Sequence, residues 1–129
     1  MLQTYEGGCH CGQVRIRVQA DLTQVSVCNC SICTKKGILH LIVPLDRFEL
    51  LQGDDAMTTY QFGTGIAKHT FCRHCGIHAF YTPRSEPDKV SVNARCLEGI
   101  NQTMLHPSQS FDGQNWEAAM QAREAGSGS

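Results

Sequence analysis

Wherever the chain shows a regular pattern, apolar and polar residues alternate with a period of two rather than the longer period of a helix. In QVRIRVQA, Val14, Ile16 and Val18 fall on one face while Arg15 and Arg17 fall on the other. VSVC, ILHLIVP, RFELLQG, TTYQFG, IAKHTFC, HAFYTPR and KVSVNARCL continue in short runs. Pro44, Asp46, the Gly-Thr-Gly turn at 63–65 and the SEPD loop separate them. Seven or eight short strands punctuated in this way predict a mostly β protein. One helix is expected near the C-terminus, where WEAAMQARE is rich in helix formers and Asp112 or Asn115 can cap it. SICTKK fits a short helical turn with Ser31 as cap. No repeat or linker divides the chain, so a single domain is expected over 1–125, with a flexible low-complexity tail over 126–129.

Composition narrows the function classes. The 129 residues, 41% hydrophobic and 18% charged, suit one globular domain. A formal net charge of -1 with no basic block offers no footprint to nucleic acid and no polybasic patch to a membrane. The longest apolar run, ILHLIVPL, is too short to span a bilayer. The opening MLQTYEGGC has neither the charged nor the apolar region of a secretory signal, so a cytoplasmic location is expected. Eight cysteines in that setting point to metal or redox chemistry before disulfides.

Seven of those cysteines fall in three tight groups: Cys9 and Cys11 in GGCHCG, Cys28, Cys30 and Cys33 in VCNCSICTKKG, and Cys72 and Cys75 in FCRHCG. If each group stays whole, one partition closes a four-thiolate site. Cys9, Cys11, Cys72 and Cys75 form it, and Cys28, Cys30 and Cys33 remain as a trio. On a strand a C-x-C pair points both sulfurs to one face. A C-x-x-C-G turn aims backbone N–H groups at sulfur, and Gly76 permits the positive φ such a turn commonly needs. Four thiolates select zinc, with rubredoxin-like iron or a cluster as alternatives. The four-cysteine site reads as a staple that closes a long loop and contributes to folding. The trio admits two readings. A histidine completes a structural site, from among His10, His40, His69, His74, His78 and His106, or the fourth position is left to water or substrate as in catalytic zinc.

GGCHCGQVRIRV, CNCSICTKKG, HTFCRHCG, FYTPRS, NARCLEG and FDGQNWE occur in this order from about Gly7 to Trp116. Together they resemble the glutathione-dependent formaldehyde-activating enzyme (Gfa) family, in particular its centromere protein V-like branch. The resemblance implies a mostly β, Mss4-like (β-tent) zinc-binding fold with one short C-terminal helix and two zinc ions per chain. It implies a structural zinc at Cys9, Cys11, Cys72 and Cys75 and a catalytic zinc at Cys28, Cys30 and Cys33. The implied activity is a zinc-dependent carbon–sulfur lyase or synthase acting on a thiol–aldehyde adduct such as S-(hydroxymethyl)glutathione. The chain is shorter than the prototype of the family.

For that activity a small-molecule thiol and aldehyde are the expected partners, with the protein a monomer or homodimer and neither nucleic acid nor membrane involved. His40 and His69 are candidates to exchange a proton with the carbonyl oxygen, against the alternative of packed or solvent-facing rings. Lys35 and Lys36 can offset negative charge or hold substrate carboxylates, or lie as an exposed pair at a helix end. Arg84 can contact an anion or sit on the surface. His10 and His74 are expected to point away from the metal, and Cys96 to be a buried core thiol. Phe71, Phe80, Tyr81 and Trp116 belong to core or pocket wall. The competing functions are a non-catalytic two-zinc interaction domain and a redox or metal-handling protein using the same thiolates.

Overall fold

The computed structural model describes residues 1–127, with side chains through Arg123. Strands β1 (Gln3–Gly8), β2 (Arg15–Ala20) and β5 (Phe48–Gln52) form an antiparallel sheet in the order β1-β2-β5. A second sheet joins β3 (Ser26–Cys28), β4 (His40–Pro44), β8 (Phe80–Tyr81), β9 (Lys89–Asn93) and β10 (Gln109–Phe111) in the order β10-β3-β4-β9-β8. Strands β6 (Met57–Tyr60) and β7 (His69–Cys72) make a separate antiparallel ribbon. Among the described residues two α-helices, α1 (Ser31–Lys36) and α2 (Trp116–Ser127), and six short 3-10 turns complete the chain. The fold is mostly β with a short C-terminal helix, a small Mss4-like architecture, as expected. Of the expected tail, Gly126 and Ser127 fall within α2, and 128–129 lie outside the described residues.

The period-two pattern is the packing pattern. Val14, Ile16 and Val18 are at most 1% exposed and form the core with Val25, Leu41 and Val92. Arg15 and Arg17 on the opposite face pair with Glu98, Glu6 and Glu49 at the surface. All eight expected strands are present. β1 and β10 were not anticipated, because neither has an apolar run of its own. Gly7 and Gly8 end β1, and β10 is only QSF; each is held by its neighbour's ladder.

That second omission matters for the site. β10 runs parallel to β3 with Phe111 opposite Cys28. The chain after β10 therefore passes directly over the trio of cysteines. Strand β9 is buried on both faces; Ser91, on the face toward β4's His40, is fully buried.

Candidate metal centres and cleft

Among the described residues, two groups of side chains can each hold a metal ion: Cys9, Cys11, Cys72 and Cys75, and separately Cys28, Cys30 and Cys33. Within each group the ligand atoms lie within 4.8 Å of one another. The partition reached by counting is the one the fold makes. Six histidines stay outside the trio, as do all other cysteines and carboxylates among the described residues.

The first group is built from two turns. Cys9 and Cys11 follow β1, and the Val14 N–H donates to the Cys9 Sγ at 3.2 Å. Cys72 ends β7, where the His74 N–H donates to its Sγ at 3.4 Å and the Gly76 N–H donates to its carbonyl at 2.8 Å. Gly76 adopts φ 78°, which a side chain would strain. The Cys9–Cys11 and Cys11–Cys72 sulfur pairs are both 3.6 Å apart. Sulfurs held tetrahedrally at about 2.3 Å from zinc stand about 3.8 Å apart, so the donor set fits that ion. Neither C-x-C pair lies along one strand, contrary to expectation: Cys9 and Cys11 occupy a turn, and Cys30 already caps α1. Turns bring the sulfurs together where strand alternation was expected to do so. Cys9 and Cys72 are buried in the main core, which ties this group to the fold.

The trio is assembled differently. Cys28 ends β3. Cys30 is the N-cap of α1, and its Sγ accepts the Cys33 N–H at 3.4 Å. Ser31 was the expected cap; Cys30 takes that place because its extended backbone turns the sulfur back over the first turn. Gly37 closes the helix with φ 65°. Asn29 clamps the overlying segment: its Nδ2 donates to Asp112 Oδ1 at 2.8 Å, and its Oδ1 accepts the Gln114 N–H at 3.0 Å. Gly113 is thereby pressed onto the trio. A Cβ at that position would stand 2.6 Å from the Cys28 Sγ and 2.7 Å from the Cys30 Cβ. Crowding by Cys28 and Cys30, then burial, pushes the Cys33 thiol well above its ordinary range. Three thiolates this close call for a cation.

The trio opens onto a cleft of about 1120 Å³ that also meets His40, His69 and Tyr81. Tyr81 links these groups. Its hydroxyl lies 3.9 Å from the Cys33 Sγ and 3.2 Å from the His40 Nδ1, which is 2.9 Å from the Ser91 Oγ. The His40 Nε2 is buried with no partner among the described residues. His69 stacks between Phe62 and Tyr81, at centroid distances of 5.6 and 5.0 Å. Its Nδ1 lies 3.2 Å from the Lys36 Nζ, which also sits 3.9 Å over the Tyr81 ring. Burial, and then the Lys36 charge, lowers both histidines to a pKa of about 4. Burial lowers Lys36 to about 8, while burial and the Cys33 charge raise Tyr81.

Of the sequence candidates, His40, His69 and Lys36 converge beside the trio, whereas Lys35 is exposed. His10 and His74 are exposed, as expected. Cys96 is partly buried against the core, with its pKa raised to about 11 by burial. Tyr81, expected in core or pocket wall, lines the cleft. Asn29, Ser91 and Gly113 had no expected role, although CNCSICTKKG contains Asn29 and FDGQNWE contains Gly113.

The fold and these groups define a class: a small, mostly β protein with a four-thiol group tied to its core through Cys9 and Cys72 and a three-thiol group facing a cleft. The model of the glutathione-dependent formaldehyde-activating enzyme family matches residues 4–115, and the chain belongs to that family. A Schizosaccharomyces pombe protein named as an uncharacterized lyase is 22% identical over 100 residues, 74% of this chain and 70% of its own. A crystal structure of a Rhodobacter sphaeroides protein is similar with a TM-score of 0.76 and 37% identity, covering 82% of this chain and 99% of that one. Among the described residues no helix is long and apolar enough to cross a membrane.

Proposed function

We propose that the protein is a zinc-dependent carbon–sulfur lyase, reversible as a synthase, acting on thiol–aldehyde adducts of the S-(hydroxymethyl)glutathione kind. Family membership and the lyase-named relative support a carbon–sulfur lyase-like function. The observation that carries the finer reading is the opening of the three-thiol group onto a cleft shared with the hydrogen-bonded Tyr81–His40 pair. In this reading Cys9, Cys11, Cys72 and Cys75 hold a structural zinc, and Cys28, Cys30 and Cys33 hold the second. The chemistry supplied by bound zinc is stabilisation of the substrate sulfur as thiolate at neutral pH.

The chain's own groups manage the proton. In cleavage the carbon–sulfur bond breaks with its electron pair going to sulfur, and the adduct hydroxyl becomes a carbonyl. The hydroxyl proton passes to the Tyr81 oxygen as the Tyr81 proton passes to His40 Nδ1. His40 suits this role because burial keeps it neutral at pH 7. In synthesis the same path returns a proton to the oxygen. His69 holds Lys36 and the Tyr81 ring in place.

Exchange-transfer proton NMR of formaldehyde with glutathione tests this, using protein whose zinc content has been measured. Accelerated exchange of the hydroxymethyl group is expected. Cys30→Ser should abolish it with an unchanged circular dichroism spectrum. No acceleration by protein carrying two zinc ions would favour the non-catalytic two-zinc domain instead.

A further inference from the structure

We propose that Arg84, laid over Trp116, anchors a carboxylate of the thiol partner and thereby selects acidic thiols; this rests on the lyase reading above. Arg84 and Trp116 line the same cleft as the three cysteines. The guanidinium carbon is 3.7 Å from the centre of the Trp116 ring, so the fork is held against that ring before any ligand arrives. The other cations near it are engaged. Glu86 pairs with Lys89 at 3.4 Å and with Arg123 at 3.5 Å, and Arg123 also donates to the Ser85 carbonyl. Arg84 has no acidic partner among the described residues, and its Nε is buried without any hydrogen bond. The guanidinium as a whole is partly exposed and carries no carboxylate of its own among the described residues, and a carboxylate in the cleft answers it, because two oxygens accept from the fork side by side.

The placement suits one small substrate reaching both points. Gly113 touches Cys28, and one short turn, Gly113–Asn115, leads to Trp116. That turn advances the backbone about 6 Å from Gly113 to Trp116, and the stacked pair and the three cysteines line one cleft. A γ-glutamyl peptide thiol, with its thiol and carboxylates on separate arms, matches that arrangement. A neutral thiol leaves the Arg84 N–H unanswered.

The protein supplies its own reporter. Trp116 is the single tryptophan, and the cation proposed to bind the ligand lies on its face. S-methylglutathione is the probe, since its methylated sulfur does not react and its carboxylates remain. Titrated into metal-replete protein, it should change Trp116 fluorescence saturably. Its diethyl ester should bind at least tenfold more weakly, as should the acid to Arg84→Gln, while Arg84→Lys falls between. The ester comparison uses unaltered protein, so it stands even if Arg84→Gln fails to fold. Equal affinity for acid and ester, no saturable change, or unchanged binding to folded Arg84→Gln would overturn the assignment. Carboxylate-selective binding without turnover would retain it and reject the lyase. Turnover that ignores the ester would retain the lyase and reject the anchor.

Discussion

Tyr81 lies where two polar lines cross, one from Cys33 to His40 and Ser91, the other from Lys36 to His69. Tyr81→Phe keeps the ring, its stack on His69 and its contact with Lys36, and removes only the hydroxyl. Loss of a proton-exchanging group costs about 10²-fold or more in rate, whereas one lost hydrogen bond costs about 1 kcal/mol of stability. The expected result is a kcat at least a hundredfold lower with KM little changed and a melting temperature within a few degrees. An unchanged kcat would remove Tyr81 from the chemistry. The histidines make a second prediction. His40 and His69, each 3% exposed, have pKa values near 4, against an ordinary value of 6.5. The unfolded chain takes up these protons below about 6.5 and the native protein resists until about 4, so stability falls as pH drops through that window. Each contributes at most about 3 kcal/mol, less when both respond to the same Lys36 charge. Melts between pH 7 and 4.5, with metal content followed in parallel, should show the decline, and His69→Gln should make it shallower. A flat profile from pH 7 to 5 contradicts it.

The segment from β10 into α2 carries the part of the site most dependent on how elements meet. Its parallel pairing to β3 brings Gly113 onto Cys28 and Cys30, and Asn29 fastens it there. Gly113→Ala should therefore expel the metal of the trio while leaving the four-thiol group filled. Inductively coupled plasma mass spectrometry should read a loss of one metal per chain, with little change in circular dichroism. Two metals retained would mean the segment yields more easily than its hydrogen bonds suggest. This segment was also the least legible in the sequence. QSF has three residues and no apolar alternation, so nothing local marks it as a strand. β2 was legible because Val14, Ile16 and Val18 must share one buried face.

Across the molecule the proposed function gives the two thiol groups different work, and loss of either should show it. Cys11 and Cys72 are separated by 61 positions, and Cys9 and Cys72 belong to the core. Cys75→Ser should unfold the protein or lower its melting temperature by well over ten degrees, because metal binding there is coupled to folding. Cys30→Ser should stay folded, since the trio packs in a smaller cluster with Ile38 and Tyr81. A graded chelator titration should release metal in two steps, the first silent in circular dichroism and the second coincident with unfolding. Simultaneous release would erase the division of labour.

Counting cysteines was enough to divide seven thiols into four and three, because tight spacing keeps each group whole and leaves one closing combination. Alternation was enough for the buried face of β2 and for eight of ten strands, because side-chain direction is a local property of extended backbone. The use made of the trio was not available at that level. That Cys30 rather than Ser31 caps α1, that Tyr81 rather than a histidine stands next to Cys33, and that Arg84 lies on Trp116 all depend on contacts between distant segments. Such contacts follow from sheet order and register, which bring residues tens of positions apart to hydrogen-bond distance without leaving a local trace in the chain.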